Sequence, residues 1–140
     1  MSLSMSRPER EEFLAGVHVG VLSVAAGDGR GPLTVPIWYS YQPGGVVTVI
    51  TGAENRKARA IRAAGRFTLC AQNEQLPYRY VTVEGPAIFD EVTDAERALV
   101  ARRYLGDEQG DAWISANPGQ GQIAIRMTPE HWGSADFGQA

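Results

Sequence analysis

Short β-rich runs separated by glycine-containing turns limit what this sequence can fold into. One run spans residues 17–24 and ends in the turn cluster 27–31, and a second run spans residues 33–41. A Pro-Gly-Gly turn at residues 43–45 leads into a third run at residues 46–51. Runs rich in valine, isoleucine and aromatic residues, with such turns between them, are typical of antiparallel hairpins. The sequence therefore predicts an antiparallel meander.

Three further β-rich runs follow the meander, at residues 67–71, 78–89 and 121–127. The pair Gly85-Pro86 interrupts the middle run, which predicts a bulge or an edge position there. Short helical segments lie between the runs, and the sequence shows no internal repeat. Six strands with short helices between them fit one antiparallel barrel rather than a parallel α/β sheet.

Capping residues predict where three short helices begin. Ser6 starts the first helix, and Asn55 caps a helix over residues 56–64 that is followed by a glycine. Thr93 starts a third, amphipathic helix. The segment 106–121 is expected to be loop-rich, with a helical turn around its tryptophan.

Length and composition place the chain among soluble globular proteins. Its 140 residues suffice for one domain, and 44% of them are hydrophobic while 21% are charged. We expect a single domain over residues 1–140, with residues 1–5 as a disordered leader. The polar start and the lack of a long apolar run predict a cytoplasmic protein with no membrane partner.

Several function classes are excluded by what the sequence lacks. The net charge of −3 argues against a nucleic-acid partner. Cys70 is the only cysteine, so the fold does not depend on a disulfide. Cys70, His18 and His131 lie far apart without paired ligand spacing, so we predict no metal site. The sequence has no nucleophile elbow and no zinc-protease motif, so hydrolytic chemistry has no support.

A group of cations without acids occupies residues 55–73. Its members are Arg56, Lys57, Arg59, Arg62 and Arg66. Arg56 and Lys57 fall in the first turn of a predicted helix, where the helix dipole disfavours positive charge. A phosphate bound by the first-turn N–H groups and these two side chains would remove that conflict. A solvated basic face, with arginines reaching neighbouring carboxylates, stays open as the alternative.

Several segments, in their order along the chain, resemble those of a known family. They are Gly20-Val21-Leu22-Ser23-Val24, Pro36-Ile37-Trp38-Tyr39, Asn55-Arg56-Lys57-Ala58, Arg66-Phe67-Thr68-Leu69, Tyr80-Val81-Thr82-Val83-Glu84-Gly85 and the segment 129–136. The family is the split β-barrel group of pyridoxamine 5′-phosphate oxidase-like proteins and their flavin- and deazaflavin (coenzyme F420)-dependent relatives, of the actinobacterial type. Asn55-Arg56-Lys57-Ala58 is the most specific segment, because it is similar to the family's phosphate motif.

The resemblance implies a mainly β fold, a six-stranded antiparallel split β-barrel of the FMN-binding type. It implies a homodimer with cofactor sites at the interface and a small-molecule substrate. The implied cofactor-binding residues are Val35, Pro36, Ile37 and Trp38 at the ring system, Ile50 and Thr51 near the phosphate or sugar chain, Asn55, Arg56 and Lys57 at the phosphate, Tyr80 from the second subunit and Trp132 over the pocket. Plain core packing stays open as the alternative role of Trp38 and Trp132.

The implied function is that of an oxidoreductase that uses coenzyme F420 or FMN to transfer a hydride to or from a small conjugated acceptor. F420 carries a longer anionic tail, so Arg59, Arg62 and Arg66 favour F420 if they extend the phosphate site. The alternative is a non-catalytic split-barrel protein that binds a flavin, F420 or haem. No side chain is identified as catalytic, and we expect the proton to come from water or from a tyrosine such as Tyr39 or Tyr41.

Overall fold

In the computed structural model, which describes residues 2–139, seven strands form one antiparallel sheet curled into a half-barrel. The elements are α1 (Arg7–Ala15), β1 (Gly20–Val24), β2 (Leu33–Ile37), β3 (Val47–Gly52), α2 (Arg56–Ala64), β4 (Arg66–Gln72), β5 (Arg79–Asp90), α3 (Asp94–Leu105), α4 (Asp107–Ala116), β6 (Gln122–Met127), β7 (His131–Asp136) and a 3₁₀ turn (Phe137–Gln139). The predicted mainly β, antiparallel class is confirmed, with seven strands in place of the expected six.

The strand order places β2 and β3 at the two ends of the sheet. The order is β2-β1-β4-β5-β6-β3, with β7 added beside β5. A bridge between Ser40 and Thr48 joins the segment after β2 to the start of β3. Beyond this bridge, no pairing joins the two strands within residues 2–139, so the barrel is split there. The strand predicted over residues 33–41 therefore ends at Ile37 and regains a partner only at the bridge.

β5 belongs to both halves of the sheet. Residues 79–84 pair with β7, and residues 87–90 pair with β6. Between these halves, the loop from β6 to β7 crosses Gly85 so closely that a Cβ atom there would lie 1.7 Å from the carbonyl oxygen of Thr128. Glycine is therefore required at the crossing. The bulge or edge position predicted at Gly85-Pro86 is wrong, because β5 pairs with β4 in unbroken register through both residues. On its other side, this is the point at which β5 changes its partner from β7 to β6.

α2 closes the barrel on the side of the basic segment. Ala58 and Ile61 of this helix are fully buried in the core cluster. Asn55 Oδ1 accepts a hydrogen bond from the Ala58 N–H at 3.1 Å, and Gly65 ends the helix with a φ of +75°. The helix predicted over residues 56–64 is present with both of its predicted caps.

The helices α3 and α4 pack together on the outer side of β3 and β6. Arg126 of β6 donates to both carboxylate oxygens of Glu96 in α3, at 2.7 and 3.1 Å, and to Thr48 Oγ1 of β3 at 3.2 Å. At the other end of α3, the Tyr104 hydroxyl donates to the carbonyl oxygen of His18 at 2.7 Å. These contacts fix α3 to the barrel at both of its ends.

α4 and β7 are two elements that the sequence does not predict. α4 has a glycine, Gly106, as its N-cap residue and therefore no side-chain cap, and it contains Gly110, a residue that disfavours helix. A Cβ atom at Gly110 would lie 2.8 Å from the backbone of Arg102 in α3, so this glycine permits the two helices to approach closely. β7 has no β-branched residue and forms because it pairs with residues 79–84 of β5. Tertiary contacts therefore decide both elements.

Residues 3–5 contact β7, which corrects the expectation of a disordered leader. The Asp136 N–H donates to the Leu3 carbonyl oxygen at 2.8 Å, and the Met5 N–H donates to Ser134 Oγ at 3.0 Å. The Met5 side chain is buried in the core cluster, and hydrophobic burial explains why the segment is held. Residue 1 of the expected leader lies outside the described residues.

Candidate functional site

Hydrogen bonds between Thr51 and Asn55 hold the turn from β3 into α2. Asn55 Nδ2 donates to Thr51 Oγ1 at 2.6 Å, and Asn55 Oδ1 accepts from the Ala58 N–H at 3.1 Å. Among the described residues, the main-chain N–H groups of Arg56 and Lys57 have no acceptor, as expected for the first positions of a helix. Two N–H groups are therefore left at a helix start, where the dipole favours an anion.

Four cations surround this turn, and we call Arg56, Lys57, Arg59 and Arg62 the α2 cation cluster. Arg56 is exposed and Lys57 is half-buried, and within residues 2–139 neither side chain has a hydrogen-bond or ion-pair partner. Arg59 and Arg62 each donate through Nη1 to a carbonyl oxygen of residues 53–54, at 3.0 and 2.7 Å. A carbonyl oxygen does not neutralise a guanidinium, so four positive charges stay together at the start of α2.

Arg66 lies outside the α2 cation cluster, although the sequence groups it there. Its guanidinium pairs with Glu84 at 3.4 Å and with Glu130 at 3.0 Å. The hydrogen bond from Arg66 lowers the pKa of Glu130 below its ordinary value. Arg66 therefore fits the alternative to a phosphate site, in which an arginine reaches neighbouring carboxylates.

Trp38 and Ile50 line a cavity between the barrel and the α3–α4 pair. On β3 the core residue Val49 faces inward, so Ile50 faces the opposite side. Trp38 stacks on Tyr104 of α3 with ring centroids 5.0 Å apart, and it meets Trp113 of α4 at 5.4 Å. The cavity has a volume of about 170 Å³. Its other lining residues are Arg97, Val100, Ala101 and Gln122.

Arg97 places a buried positive charge in the wall of this cavity. Its side chain is 4% exposed. Nε donates to Gln122 Oε1 at 2.7 Å, Nη2 donates to the carbonyl oxygen of Asn117, and Nη1 lies 3.5 Å from the Asp94 carboxylate. Sequence reasoning missed this residue, because an arginine in an amphipathic helix reads as a surface residue until the loop after α4 packs over it.

Other residues that the resemblance assigns to the site are spread over the molecule. Val35 and Ile37 pack against the barrel core from β2, while Pro36 between them is exposed. Tyr80 is 38% exposed on β5. Trp132 lies beside α1, with its ring centroid 4.7 Å from an arginine guanidinium. In a single chain, the residues predicted to bind the cofactor therefore lie in two groups, one at the α2 start and one at the cavity. The others are dispersed over the molecule.

Neither Tyr39 nor Tyr41 is placed to donate a proton to a ligand. The Tyr39 side chain is fully buried, and its hydroxyl donates to the Leu14 carbonyl oxygen at 2.6 Å. The Tyr41 hydroxyl donates to Glu11 Oε1 at 3.1 Å. Burial raises the pKa of both hydroxyls above the ordinary value. Of the expected proton sources, water or a tyrosine, these contacts disfavour Tyr39 and Tyr41.

Solved structures with similar architecture were found over nearly the whole chain. A conserved hypothetical protein from Mycobacterium tuberculosis is 23% identical, with 97% of this chain and 88% of that chain covered and a TM-score of 0.76. An F420 reductase is 20% identical, with 87% and 94% covered and a TM-score of 0.66. The chain has the split β-barrel fold.

A third split β-barrel structure widens the range of similar proteins. It is the FAD and heme binding protein from Mycobacterium smegmatis, 15% identical, with 96% of this chain and 73% of that chain covered and a TM-score of 0.68. No family model and no curated protein matches the sequence. At these identities the likeness establishes the split β-barrel fold, and the function must be argued from the site.

Two further observations describe what residues 2–139 do not form. No three histidine, cysteine, aspartate or glutamate side chains come together in a group that could hold a metal ion. No helix in this part of the chain combines the length and the hydrophobicity needed to cross a membrane.

Proposed function

We propose that this protein is an oxidoreductase that binds coenzyme F420 or FMN, with the cofactor phosphate held at the start of α2. One observation carries the proposal. Within the described residues, Arg56 and Lys57 have no partner for either their main-chain N–H groups or their side chains. The names of two split β-barrel structures, an F420 reductase and an FAD and heme binding protein, support a flavin-type cofactor.

The residues at the α2 start fit a phosphate group. Charge-assisted hydrogen bonds from guanidinium, ammonium and main-chain N–H donors are the contacts that a phosphate forms most strongly. Without an anion, Arg56 and Lys57 oppose the helix dipole, which costs about 0.3–1 kcal/mol for each exposed charge. The hydrogen bonds between Asn55 and Thr51 hold the turn in place, so little ordering is needed when the phosphate binds.

We favour F420 over FMN because of the two outer members of the α2 cation cluster. Arg59 and Arg62 keep their charge beside residues 53–54, where they can attract an anionic tail that continues beyond the phosphate. FMN has one phosphate and no such tail. Arg62→Glu should therefore weaken F420 binding much more than FMN binding, and equal effects on both would reject the preference.

When bound and reduced, the cofactor supplies a hydride, which is two electrons and one proton, to a conjugated acceptor. The chain's part is to bind and orient both molecules. We assign the second proton to water, because the Tyr39 and Tyr41 hydroxyls already donate to Leu14 and Glu11.

We also propose that two copies of the chain pair through the outer face of β2, β1, β4, β5 and β7. The central row of this face runs across the five strands through Pro36, Val21, Cys70, Thr82 and Gly133. All five residues are uncharged, and none is buried in the chain. The centre of a protein interface is depleted of charged residues in the same way.

Tyr80 supports this pairing, because it lies two residues before Thr82 of the central row and therefore on the same face of β5. Its register partners are Gln72 and Ala135, and it is 38% exposed. A residue in this position can reach a cofactor of the second copy, as the family resemblance implies. Sedimentation should show a dimer that Thr82→Arg converts to a monomer, whereas Ile88→Arg, at an exposed position in the other half of β5, should leave it intact. A stable wild-type monomer at micromolar concentration would reject the pairing.

Equilibrium titration with FMN, F420 and haem tests the proposed function. We expect submicromolar binding of F420 or FMN, followed by oxidation of the reduced cofactor when a suitable acceptor is added. Tight binding without turnover across an acceptor panel would support a storage or sensor protein instead. Submicromolar binding of none of the three would reject the proposal.

A further inference from the structure

We propose that Arg97 of α3 is a positioning residue for the phosphate site at the start of α2, a role that rests on the proposed function. It acts through the loop 117–121, which joins α4 to β6 and contacts the turn into α2. The family resemblance assigns no residue of α3 or of this loop to the cofactor.

Arg97 holds the loop 117–121 near both of its ends. Nη2 donates to the carbonyl oxygen of Asn117, where the loop begins, and Nε donates to Gln122 Oε1 at 2.7 Å, just after the loop ends. The Arg97 side chain is 4% exposed, so the guanidinium is largely shielded from water. Hydrogen bonds from a charged donor are stronger than those from a neutral one, and more so away from water. One guanidinium therefore fixes the loop at two points.

The middle of the loop packs closely on the same side chain. A Cβ atom at Gly119 would lie 2.8 Å from both Cδ and Nη1 of Arg97. A larger residue therefore requires a shift of the loop or of the buried arginine. The Gln122 N–H donates to the Gly119 carbonyl oxygen at 3.1 Å, which closes the end of the loop into a turn. The path of the loop thus follows the Arg97 side chain.

Few other contacts hold the loop in place. Residues 117, 118, 120 and 121 are exposed, and residue 119 is half-buried. Among the hydrogen bonds of residues 2–139, two reach the loop from outside α4 and β6, and their donors are Arg97 and the Ala53 N–H. A segment with few buried contacts opens easily. Loss of Arg97 should therefore release the loop.

The far end of the loop holds the turn from which α2 begins. The Ala53 N–H donates to the Gly121 carbonyl oxygen at 2.8 Å, and Arg62 Nη1 donates to the Ala53 carbonyl oxygen at 2.7 Å. The N–H of Asn55, the cap of α2, donates to the Gly52 carbonyl oxygen at 3.2 Å. The peptide groups on the two sides of Ala53 are thus fixed, one to the loop and the other to the α2 cation cluster.

A chain of hydrogen bonds therefore runs from α3 to the phosphate site. It passes from Arg97 to the loop, from the loop to Ala53, and from Ala53 to the α2 cation cluster. If the loop moves away, Ala53 loses its acceptor, and the first-turn N–H groups of α2 and the Arg62 guanidinium shift with the turn. Hydrogen bonds weaken steeply when their geometry is lost. Phosphate binding should therefore depend on Arg97, to which we assign no contact with the phosphate.

Equilibrium titration of Arg97→Leu with FMN and with riboflavin tests the inference. Riboflavin is FMN without its phosphate, so its affinity reports on the ring site alone. Arg97→Leu should weaken FMN binding by about tenfold or more, as expected for the loss of one hydrogen bond from a charged group. Riboflavin binding should change by less than about twofold. F420 binding should fall together with FMN binding, because the phosphate donors and Arg62 are displaced together.

Gly85→Ala is the matched control for a general loss of stability. We expect it to destabilise the chain to a similar extent, but its new contacts are with the loop between β6 and β7. The affinities for FMN and riboflavin should therefore stay as in wild type.

Gly119→Ala is a second variant that disturbs the same contact from the loop side. It should weaken FMN binding more than riboflavin binding, even if Arg97→Leu fails to fold. Gly31→Ala, where a Cβ atom meets nothing within 4 Å, is its control and should change neither affinity.

Hydrogen exchange at the Ala53 amide gives a readout without any cofactor. This N–H is bonded to the Gly121 carbonyl oxygen and should exchange slowly in wild type. In Arg97→Leu it should exchange at least about tenfold faster than in Gly85→Ala, because the loop opens locally in the first variant only.

Two results would overturn the inference: a loss of FMN affinity no greater than that of riboflavin in Arg97→Leu and Gly119→Ala, or Ala53 exchange in Arg97→Leu no faster than in Gly85→Ala. The proposed function fails separately. If wild type binds neither FMN nor F420 but Ala53 exchange responds as expected, the link from Arg97 to the turn stands and its role in cofactor binding falls. If FMN binds wild type and Arg97→Leu equally well, only this inference is lost.

Discussion

Replacing Gly85 with alanine tests how closely the loop between β6 and β7 crosses β5. The new Cβ atom would lie 1.7 Å from the Thr128 carbonyl oxygen and 3.3 Å from the Glu130 nitrogen, whereas ordinary contact begins at 3.4 Å. The loop between β6 and β7 must therefore retreat by well over an ångström. Two main-chain hydrogen bonds fasten it there, from Thr128 to Pro86 and from Glu130 to Glu84, each at 2.9 Å.

The expected loss follows from these contacts. Overpacking costs about 1–3 kcal/mol, and each strained hydrogen bond contributes about 0.5–1.5 kcal/mol. We expect Gly85→Ala to lower the free energy of unfolding by about 2–4 kcal/mol, measured by urea unfolding with tryptophan fluorescence. Gly31→Ala is the matched control, because a Cβ atom there meets nothing within 4 Å. A Gly85→Ala midpoint equal to that of the control would refute the described crossing.

Three other predictions concern buried and charged groups. Arg97→Leu leaves the part-buried oxygens of Gln122 and Asn117 without their donor and should lower the free energy of unfolding by about 2–4 kcal/mol. Arg102→Leu breaks an exposed pair and should lower it by less than about 1 kcal/mol. Similar thermal shifts for the two variants would contradict this. Burial lowers the pKa of His18, so protonation favours the unfolded state and stability falls as the pH drops below about 6.5; an NMR titration that gives an unshifted or raised pKa would contradict it. The hydrogen bond from Arg126 lowers the pKa of Asp90, so its stabilising contribution is present above about pH 4 and is lost as the pH falls through the folded-state value. Arg126→Gln should therefore shrink the difference in urea midpoint between neutral and acidic pH, and an undiminished difference would argue against the pair.

Local sequence signals predicted the α2 start, because all of its parts lie close together in the chain. Thr51, Asn55, Arg56 and Lys57 span the end of one strand and the first turn of the next helix. The cap at Asn55 forms between side chain and main chain within a few residues. Such short-range hydrogen bonds depend little on the rest of the fold, which is why the turn and its helix could be read from the sequence.

The cavity could not be predicted, because it depends on residues that are distant in sequence. Trp38 meets Trp113 only after α4 has packed on α3 through Gly110. Arg97 becomes buried only when the loop after α4 and Gln122 of β6 close around it. Pairing with β5 likewise forms β7 from residues of low β propensity.

The central claim is that the start of α2 binds the cofactor phosphate. Its most direct test is to measure the equilibrium dissociation constants of F420 and FMN for Lys57→Ala, wild type and Arg30→Ala. Arg30→Ala removes one positive charge from an exposed turn and controls for net charge. If Lys57 binds the cofactor phosphate, its removal should weaken binding by about 1–3 kcal/mol, or roughly 5- to 150-fold, while Arg30→Ala binds as wild type does. Unchanged affinity in Lys57→Ala, or an equal loss in both variants, would contradict the assignment of the phosphate to the start of α2.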